Sequence, residues 1–380
     1  MRSFLDEYTR DLTSVDVQRL FTRDTPEAYR YFARGVDLDK LASEPWYRRW
    51  PTRLRLVFVG FSMRLSPARR ALYGFAVLSL VLGLLALFRD VGTVSVFVFP
   101  FHVPLPLPRW EPGTVWLVIA FTAVNLLVLM EVADRLSLKS DLEIARDIQL
   151  AMLPGGIRTV GDVVVCGVTR PANTVGGDFY DILTLPDGRL VIALGDVAGK
   201  GSPAALLMAL LLAMLRTLVD EGLETSRLVS RLNVQVARHS PASRFITLFF
   251  SIYDPRNGRL EYVNAGHLPP IVRREDGAFE RPDPGGSGLA LGMFTDATYE
   301  MRTLDLNPGD LLVLFSDGIT EAENSKGVPF DEAGAQAVIA AYADRPPEAI
   351  GRAMLAAVES HAGDARLADD LTALVLKRAI

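Results

Sequence analysis

Gly195-Asp196-Val197-Ala198-Gly199-Lys200-Gly201 directly follows the apolar run at residues 190–194. An apolar run that ends in an acid between glycines is typical of a buried strand entering a tight loop. Three further stretches in the C-terminal half have the same character. They read Val175-Gly176-Gly177-Asp178-Phe179-Tyr180-Asp181, Phe315-Ser316-Asp317-Gly318 and Ala368-Asp369-Asp370-Leu371-Thr372. Because strand ends gather side chains from distant parts of a sequence, we expect these carboxylates to converge.

Converging carboxylates need a positive charge between them. Like charges that share a site disfavour each other's ionised form unless something compensates them. Hard divalent cations such as Mg²⁺ and Mn²⁺ prefer oxygen ligands of this kind. The four stretches therefore predict a carboxylate-built site for more than one divalent ion.

Composition narrows the class of protein. The chain has 380 residues, 49% of them hydrophobic, and its mean hydropathy of +0.22 predicts a membrane segment. The formal net charge of −5 provides no basic field, so we expect no nucleic-acid partner. Cys166 is the single cysteine, which excludes an intramolecular disulfide, and its apolar neighbours favour a buried thiol.

Two apolar runs, residues 72–88 and 114–130, contain no charged side chain. Each has roughly the 17–20 residues needed to cross a bilayer. They predict a transmembrane hairpin over residues 71–131, and a pair of buried core helices is the alternative. The connector between them is rich in proline, and its apolar stretch 94–99 is too short to span.

The arginine distribution predicts the orientation of this hairpin. Seven arginines lie within residues 48–70, whereas the connector carries only Arg89 and Arg109. The positive-inside rule then places both termini and the C-terminal domain in the cytoplasm, with the chain in the cell (inner) membrane as a multi-pass protein. Residues 1–70 form a cytoplasmic region without a ligand-binding signature. Its basic stretch is either a solvated flank or a contact for anionic membrane lipid.

Residues 132–154 predict a linker helix that continues from the second span. Apolar side chains recur at near-helical spacing between charges, and Pro154-Gly155-Gly156 ends the pattern. Such a helix could carry a signal as a parallel coiled coil in a homodimer. A plain spacer that packs on the following domain is the alternative.

The pattern changes again over residues 155–380. Short apolar runs alternate with turn signals such as Pro186-Asp187-Gly188, and helical patterns are grouped at 203–220, 225–238, 331–342 and 347–361. Many antiparallel strands with a few grouped helices predict an α+β domain and not a repeated βαβ unit.

Six motifs, in order, resemble the SpoIIE/RsbU-type branch of the metal-dependent (type 2C) serine/threonine protein phosphatases. They are Ala145-Arg146-Asp147-Ile148-Gln149 through Leu153-Pro154, the three glycine-linked acid stretches at 176–181, 195–201 and 315–321, Asn264-Ala265-Gly266-His267-Leu268-Pro269-Pro270, and Asp369-Asp370-Leu371-Thr372. The resemblance implies an αββα sandwich of two antiparallel sheets between helix layers. It also implies hydrolysis of phosphoserine or phosphothreonine on a protein, often an anti-anti-sigma regulator of the STAS type.

The resemblance also implies roles for individual residues. Two Mn²⁺ or Mg²⁺ ions activate a bridging water for in-line attack on the phosphorus. Asp196 bridges both ions, and Asp178 and the Val197 carbonyl hold one ion with it, while Asp317 and Asp369 hold the other. The expected catalytic residues are accordingly Asp178, Asp196, Asp317 and Asp369, and the expected metal ligands are these four with Val197 and Asp370.

Four nearby residues have less certain roles. Asp370 lies beside Asp369, and either acid can be the direct metal contact. Asp181 is expected to stabilise its own turn, and a role as metal ligand is the alternative. Lys200 is favoured as a solvated loop lysine over a group that attracts the phosphoprotein, and His267 is favoured as a structural hydrogen-bond partner over a catalytic group.

Two other function classes compete with the phosphatase. The first is a non-catalytic membrane signalling scaffold that binds a partner through a phosphatase-like domain. The second is a nucleotide cyclase. The glycine-rich loop at 195–202 lacks the Walker spacing, so the sequence gives the second class little support.

Overall fold

The computed structural model describes residues 58–59, 62–63, 65–89, 91–98, 101–108, 110–240, 244–282, 288–363 and 367–379. Two compact units divide the chain, Met1–Ser137 and Leu138–Ile380. Most of the predicted N-terminal region lies outside the described residues.

The first unit contains two long apolar helices and a β-hairpin between them. Helix α1 covers Pro67–Arg89, strands β1 and β2 cover Val91–Val98 and Phe101–Pro108, and helix α2 covers Trp110–Met152. The residues of the predicted linker thus belong to the same helix as the second apolar run. Both helices are long and apolar enough to cross a membrane.

Helices α1 and α2 contact each other through small residues. Ala76 and Ala120 are buried, and a Cβ on Gly83 would lie 2.9 Å from the side chain of Leu117. Small residues at a helix interface allow the two backbones to approach closely. At the end of this interface, Arg69 forms an ion pair with Asp134 at 2.7 Å.

The β1–β2 hairpin was not predicted from the sequence. Its register runs from Val91 opposite Pro108 to Val98 opposite Phe101. Prolines at 104, 106 and 108 argued against a strand, because proline cannot donate to a β-ladder. Since consecutive N–H groups of a strand point to opposite edges, prolines at alternate positions remove donors from one edge alone. The edge of β2 that pairs with β1 keeps its donors.

The second unit is an α+β domain whose elements follow α2 along the chain. The first elements are β3 (Ile157–Val160), β4 (Val163–Arg170), β5 (Phe179–Thr184), β6 (Leu190–Val197), α3 (Ser202–Asp220), α4 (Thr225–His239), β7 (Ile246–Asp254), β8 (Arg259–Ala265), β9 (Ile271–Arg273) and β10 (Phe279–Glu280). They are followed by β11 (Arg302–Asp305), β12 (Leu311–Phe315), α5 (Asp317–Thr320), α6 (Asp331–Tyr342), α7 (Pro347–Ala362) and β13 (Leu371–Arg378).

These strands form two antiparallel sheets between two layers of helices. One sheet has the order β10-β9-β12-β13-β4-β3, and the other has the order β11-β8-β7-β6-β5. Helices α3 and α4 pack on the five-stranded sheet, and α6 and α7 pack on the six-stranded sheet. The αββα sandwich implied by the resemblance is confirmed.

The alternation of side chains along β13 explains why the domain has two cores. Leu374 and Leu376 belong to the core shared with the five-stranded sheet, whereas Leu371, Ala373 and Val375 belong to the core beneath α6 and α7. Successive side chains of a strand point to opposite faces. A strand buried on both faces therefore reads as the continuous apolar run seen in the sequence.

Helix α3 is a third helix that is long and apolar enough to cross a membrane. Its residues Met208, Leu211 and Leu215 are nevertheless fully buried in the core of the second unit. The apolar length of α3 thus reflects its packing on a sheet.

The sequence-based strand boundaries fail mainly at the sheet edges. Strands β3 and β10 were not predicted, and β11 has only the four residues Arg302–Asp305. Edge strands have one partner and one exposed side, so their composition is more polar and their pattern weaker.

Candidate functional site

The first two predicted acids lie side by side at one end of the five-stranded sheet. Strands β5 and β6 pair with Phe179 opposite Gly195. Asp178 immediately precedes Phe179, and Asp196 immediately follows Gly195. The antiparallel register therefore places both carboxylates on neighbouring strands at the same end of the sheet.

The six-stranded sheet contributes the other two acids in the same way. Strands β12 and β13 pair with Phe315 opposite Ala373. Asp317 follows the end of β12, and Asp369 precedes the start of β13. A Cβ on Gly318 would overlap the carbonyl oxygen of Asp370, so only glycine allows these two segments to lie this close.

Two glycines bring the acid-bearing loops of the two sheets together. A Cβ on Gly177 would lie 2.8 Å from both Asp196 Oδ1 and the Val197 carbonyl oxygen. A Cβ on Gly176 would overlap the carboxylate of Asp370. The Gly176–Gly177 backbone thus passes between the predicted ligands of one sheet and those of the other.

The side chain of Asp370 holds this loop by accepting hydrogen bonds from the loop's backbone. Its Oδ1 accepts a hydrogen bond from the Ala172 N–H at 2.7 Å, and its Oδ2 accepts one from the Gly177 N–H at 2.7 Å. The side chain is buried. Both oxygens of Asp370 therefore already serve the segment that positions Asp178, whereas Asp369 is more exposed.

Gln149 fixes the same loop from the other side. Its side-chain amide donates to the Gly176 carbonyl at 2.8 Å, and its Oε1 accepts from the Gly176 N–H at 3.1 Å. This paired bond imitates a β-ladder between a buried side chain and a backbone. Gln149 belongs to the first of the six motifs, but the sequence did not indicate its role, because its partner lies 27 residues away.

The acids strongly perturb one another. Burial, followed by the charge of Asp196, raises the pKa of Asp178 well above its usual range. Burial and then the charges of Asp317, Asp369 and Asp370 raise the pKa of Asp196 to about 7. Burial and the charge of Asp369 also raise the pKa of Asp317. These mutual effects show that the four predicted catalytic acids share one electrostatic environment.

This environment fits a divalent cation. Asp178 Oδ2 is buried and has no hydrogen-bond partner among the described residues, so a cation would supply the missing interaction. All predicted donors are oxygen atoms, which suits Mg²⁺ or Mn²⁺. In the part of the chain that the structure describes, no three acidic, histidine or cysteine side chains already have the spacing of a metal cage.

A cleft of about 250 Å³ opens beside Asp196 and Asp317. Its walls include Thr247, His267 and Glu321. No described lining residue of this cleft is a lysine or an arginine. A dianionic phosphate entering it would meet carboxylates, so a positive charge bound to those carboxylates is needed to admit it.

A hydrogen-bonded chain connects His267 to Asp196. His267 Nδ1 and Thr247 Oγ1 are 3.0 Å apart, and the Asp196 N–H donates to Thr247 Oγ1 at 3.3 Å. Burial lowers the pKa of His267 to about 4, and only the Phe315 backbone opposes this shift. The imidazole is therefore neutral near pH 7, and it has the structural hydrogen bond expected from the sequence.

Asp181 pairs with an arginine of α3. It is fully buried and accepts two hydrogen bonds from Arg216 of α3, at 2.8 and 3.2 Å. Arg216 also donates to the Met152 carbonyl at the end of α2, at 2.7 Å. Arg216 was not singled out from the sequence, although a lone arginine in an otherwise apolar helix is a recognisable signal of an ion pair with a buried acid.

The raised pKa of Asp196 predicts how stability depends on pH. In the folded chain this carboxyl binds its proton more tightly than in the unfolded chain, so chelator-treated protein should lose stability as the pH rises from about 4 to about 7. Asp196→Asn removes this carboxyl and with it the loss of stability at high pH. We expect a melting temperature a few degrees above that of wild type at pH 8, since 1 kcal/mol corresponds to about 2–4 °C in a domain of this size.

Differential scanning calorimetry of both proteins between pH 5 and 8, with chelator present, measures this difference. The control is Asp276→Asn in the exposed turn before β10, which should follow the wild-type curve. Parallel curves for wild type and Asp196→Asn would contradict the assignment of the raised pKa.

Comparisons with known proteins agree with this geometry. A family model described as Stage II sporulation protein E (SpoIIE) matches residues 186–379. Phosphoserine phosphatase RsbU of Bacillus subtilis is 33% identical over 191 residues, which are 50% of this chain and 56% of RsbU. Protein IcfG of Synechocystis is 30% identical over 228 residues, 53% of this chain and 36% of IcfG. The chain thus spans less than two thirds of the length of either relative.

Solved structures share the fold. The SiaA-PP2C domain of Pseudomonas aeruginosa superposes with a TM-score of 0.57 at 22% identity, covering 64% of this chain and 98% of that domain. The RsbU and RsbW domains of a Mycobacterium tuberculosis protein give a TM-score of 0.51 at 27% identity, covering 59% of this chain and 62% of that one. Because the family model spans half of the chain and includes Asp196, Asp317 and Asp369, the chain belongs to the SpoIIE family of PP2C-like serine phosphatases.

Proposed function

We propose that this protein is a membrane-anchored, Mn²⁺- or Mg²⁺-dependent phosphatase that hydrolyses phosphoserine or phosphothreonine on a regulatory protein. The observation that carries the proposal is the convergence of four acids at the matching ends of two sheets, namely Asp178, Asp196, Asp317 and Asp369. Each of them either raises the pKa of a neighbouring acid or has its own pKa raised by one. Similarity to RsbU, a phosphoserine phosphatase, supports the reaction class.

The proposed ligand set is the one implied by the resemblance, and the closeness of the Gly177 backbone to Asp196 Oδ1 and the Val197 carbonyl supports it. Asp178, Asp196 and the Val197 carbonyl would hold one ion, and Asp196, Asp317 and Asp369 would hold the other. When bound, such a pair of ions supplies a nucleophilic water near neutral pH and offsets the charge of the phosphoryl group.

Of the two adjacent acids, we assign direct contact to Asp369 and a positioning role to Asp370. Both Asp370 oxygens accept backbone N–H groups, which orients the segment leading to Asp178. Removing Asp370 would leave those N–H groups without partners and release the loop. Outer groups of this kind commonly change metal affinity by 10–100-fold when mutated.

The remaining residues of the cleft orient the acids and shape the entrance. Thr247 holds the Asp196 backbone, and the neutral His267 holds Thr247. Because His267 stays uncharged, it adds no positive charge that would compete with a cation for Asp196. Glu321 adds a further negative charge near Asp317, which favours cation binding at this wall.

Phosphate release from a phosphorylated STAS-type protein tests the proposal. We expect full-length protein in detergent to release phosphate only with Mn²⁺ or Mg²⁺. Asp196→Asn should lower kcat/KM at least 100-fold, because it removes a charge shared by both ions. The matched control is Asp187→Asn in the exposed turn at the opposite end of β6, which should retain wild-type activity.

The same assay separates the enzyme from the signalling scaffold. A scaffold would bind the phosphoprotein without metal-dependent turnover, and its binding would survive Asp196→Asn. Release of phosphate from other phosphoproteins, but not from the STAS-type protein, would retain the enzyme and refute the substrate class.

We further propose that α1 and the first part of α2 anchor the chain in the inner membrane with both termini in the cytoplasm. Their apolar windows have mean hydropathies of 2.0 and 2.2, and the arginine bias of their flanks supports the orientation. The basic flank before α1 would contact anionic lipid.

Reporter fusions test this topology. Alkaline phosphatase, which is active only outside the cytoplasm, should be active when fused after residue 99 and inactive when fused after residue 140. The reverse pattern would refute the orientation, and two inactive fusions would refute the membrane hairpin. Immunoblots of each fusion control for expression.

We also propose homodimerisation through the part of α2 that follows the second apolar run. Ile144 and Ile148, four residues apart on one face of this helix, are 57% and 58% exposed. Exposed aliphatic side chains at near-helical spacing are typical of a helix–helix contact. The charged residues between them would stay in solvent.

Light scattering of detergent-solubilised protein measures this association. Wild type should have twice the monomer mass after correction for detergent, and Ile148→Glu should be monomeric because it buries a charge in the contact. Arg146→Glu, on another face of the helix, is the control and should remain dimeric. A monomeric wild type would refute the dimer.

A further inference from the structure

Lys200 is not the solvated loop lysine that the sequence favoured. Its ammonium lies 3.0 Å from Asp369 Oδ2 and donates to the Ala368 carbonyl at 2.5 Å. The two partners are 168 and 169 residues away in sequence. Lys200 therefore connects the loop after β6, which follows Asp196, to the segment before β13, which carries Asp369.

Two glycines and one arginine contact fix the backbone on either side of Lys200. Gly199 and Gly201 on either side have φ values of 108° and 76°, a region that favours glycine. The Arg244 guanidinium donates to the Ala198 carbonyl at 3.0 Å and occupies the space where a Cβ of Gly199 would lie. The position of Lys200 thus follows from its two glycines and from Arg244.

The charge of Lys200 acts on two proposed ligands of the same ion. It contacts Asp369 directly, and it lowers the pKa of Asp317 against the larger effects of burial and of Asp369. No comparable lysine contact reaches Asp178 among the described hydrogen bonds and ion pairs. Lys200 therefore faces one half of the acid cluster.

We infer that Lys200 is a built-in cation that competes with the divalent ion for the Asp317–Asp369 site and so sets the affinity of that site. This inference rests on the metal site of the proposed function. Asp369 Oδ1 accepts the Asp370 N–H at 3.0 Å, so an ion held by Asp369 Oδ2 would share or displace the oxygen that Lys200 contacts. The lysine and Asp369 side chains are 53% and 40% exposed, so their ion pair is weak and a divalent ion can replace it. Lys200 thus lowers the affinity of this site without closing it.

Isothermal titration of full-length protein in detergent with Mn²⁺ tests the inference. We expect two classes of bound ion in wild type, with the weaker class binding about threefold to tenfold more tightly in Lys200→Met. Lys200→Arg keeps the charge and should restore the wild-type constant. The control is Lys377→Met, which removes a lysine that also donates to backbone carbonyls but lies at the opposite end of β13.

The possible outcomes distinguish this inference from the proposed function. An unchanged or weaker Mn²⁺ constant in Lys200→Met, with wild type binding normally, overturns the role of Lys200 alone. If that variant instead has a raised KM for the phosphoprotein, Lys200 contacts substrate and the inference is wrong. A wild type that binds no Mn²⁺ overturns both the metal site and this inference.

Discussion

Mutual repulsion among Asp178, Asp196, Asp317 and Asp369 is the constraint on which this site depends. Burial makes the repulsion stronger because water no longer screens the charges. It appears in the raised pKa values of three of the four acids. A sequence that gathers such a cluster needs strong scaffolding to hold it, and a cation to make it functional.

The scaffolding is mostly backbone. Asp370 accepts N–H groups from the loop before Asp178, and Gln149 pairs with Gly176 in the same loop. Gly176 and Gly177 allow this loop to pass between the two sheets without a steric clash. Each sheet thus supplies its acids by register, and a few buried polar groups join the two pairs.

The end of α2 is directly connected to this scaffolding. Gln149 on α2 contacts the loop that leads to Asp178, and the Met152 carbonyl accepts from Arg216, which in turn holds Asp181 on β5. These contacts give the proposed linker a physical route to the acid cluster. Because Gln149 and Asp181 are themselves buried, loss of their partners leaves a buried polar or charged group uncompensated.

The sequence predicted the central elements well because each is specified locally. Apolar runs bounded by turn signals located β5, β6, β7, β12 and β13, and helical periodicity located α3, α4, α6 and α7. The β1–β2 hairpin was missed because its prolines oppose a strand unless they occupy positions whose missing donors would face the unpaired edge. Whether they do depends on the pairing partner and not on the local residues.

The acid set, the glycines beside it and the two apolar runs were determined by the sequence itself, since residue type and spacing specify them. The tertiary structure decided how the neighbouring residues differ. Asp370 holds a loop while Asp369 faces Lys200, and Asp181 pairs with Arg216 rather than with the other acids. Adjacent or similar carboxylates have the same local signal. Their roles diverge only when distant segments bring a backbone N–H, an ammonium or a guanidinium to each one.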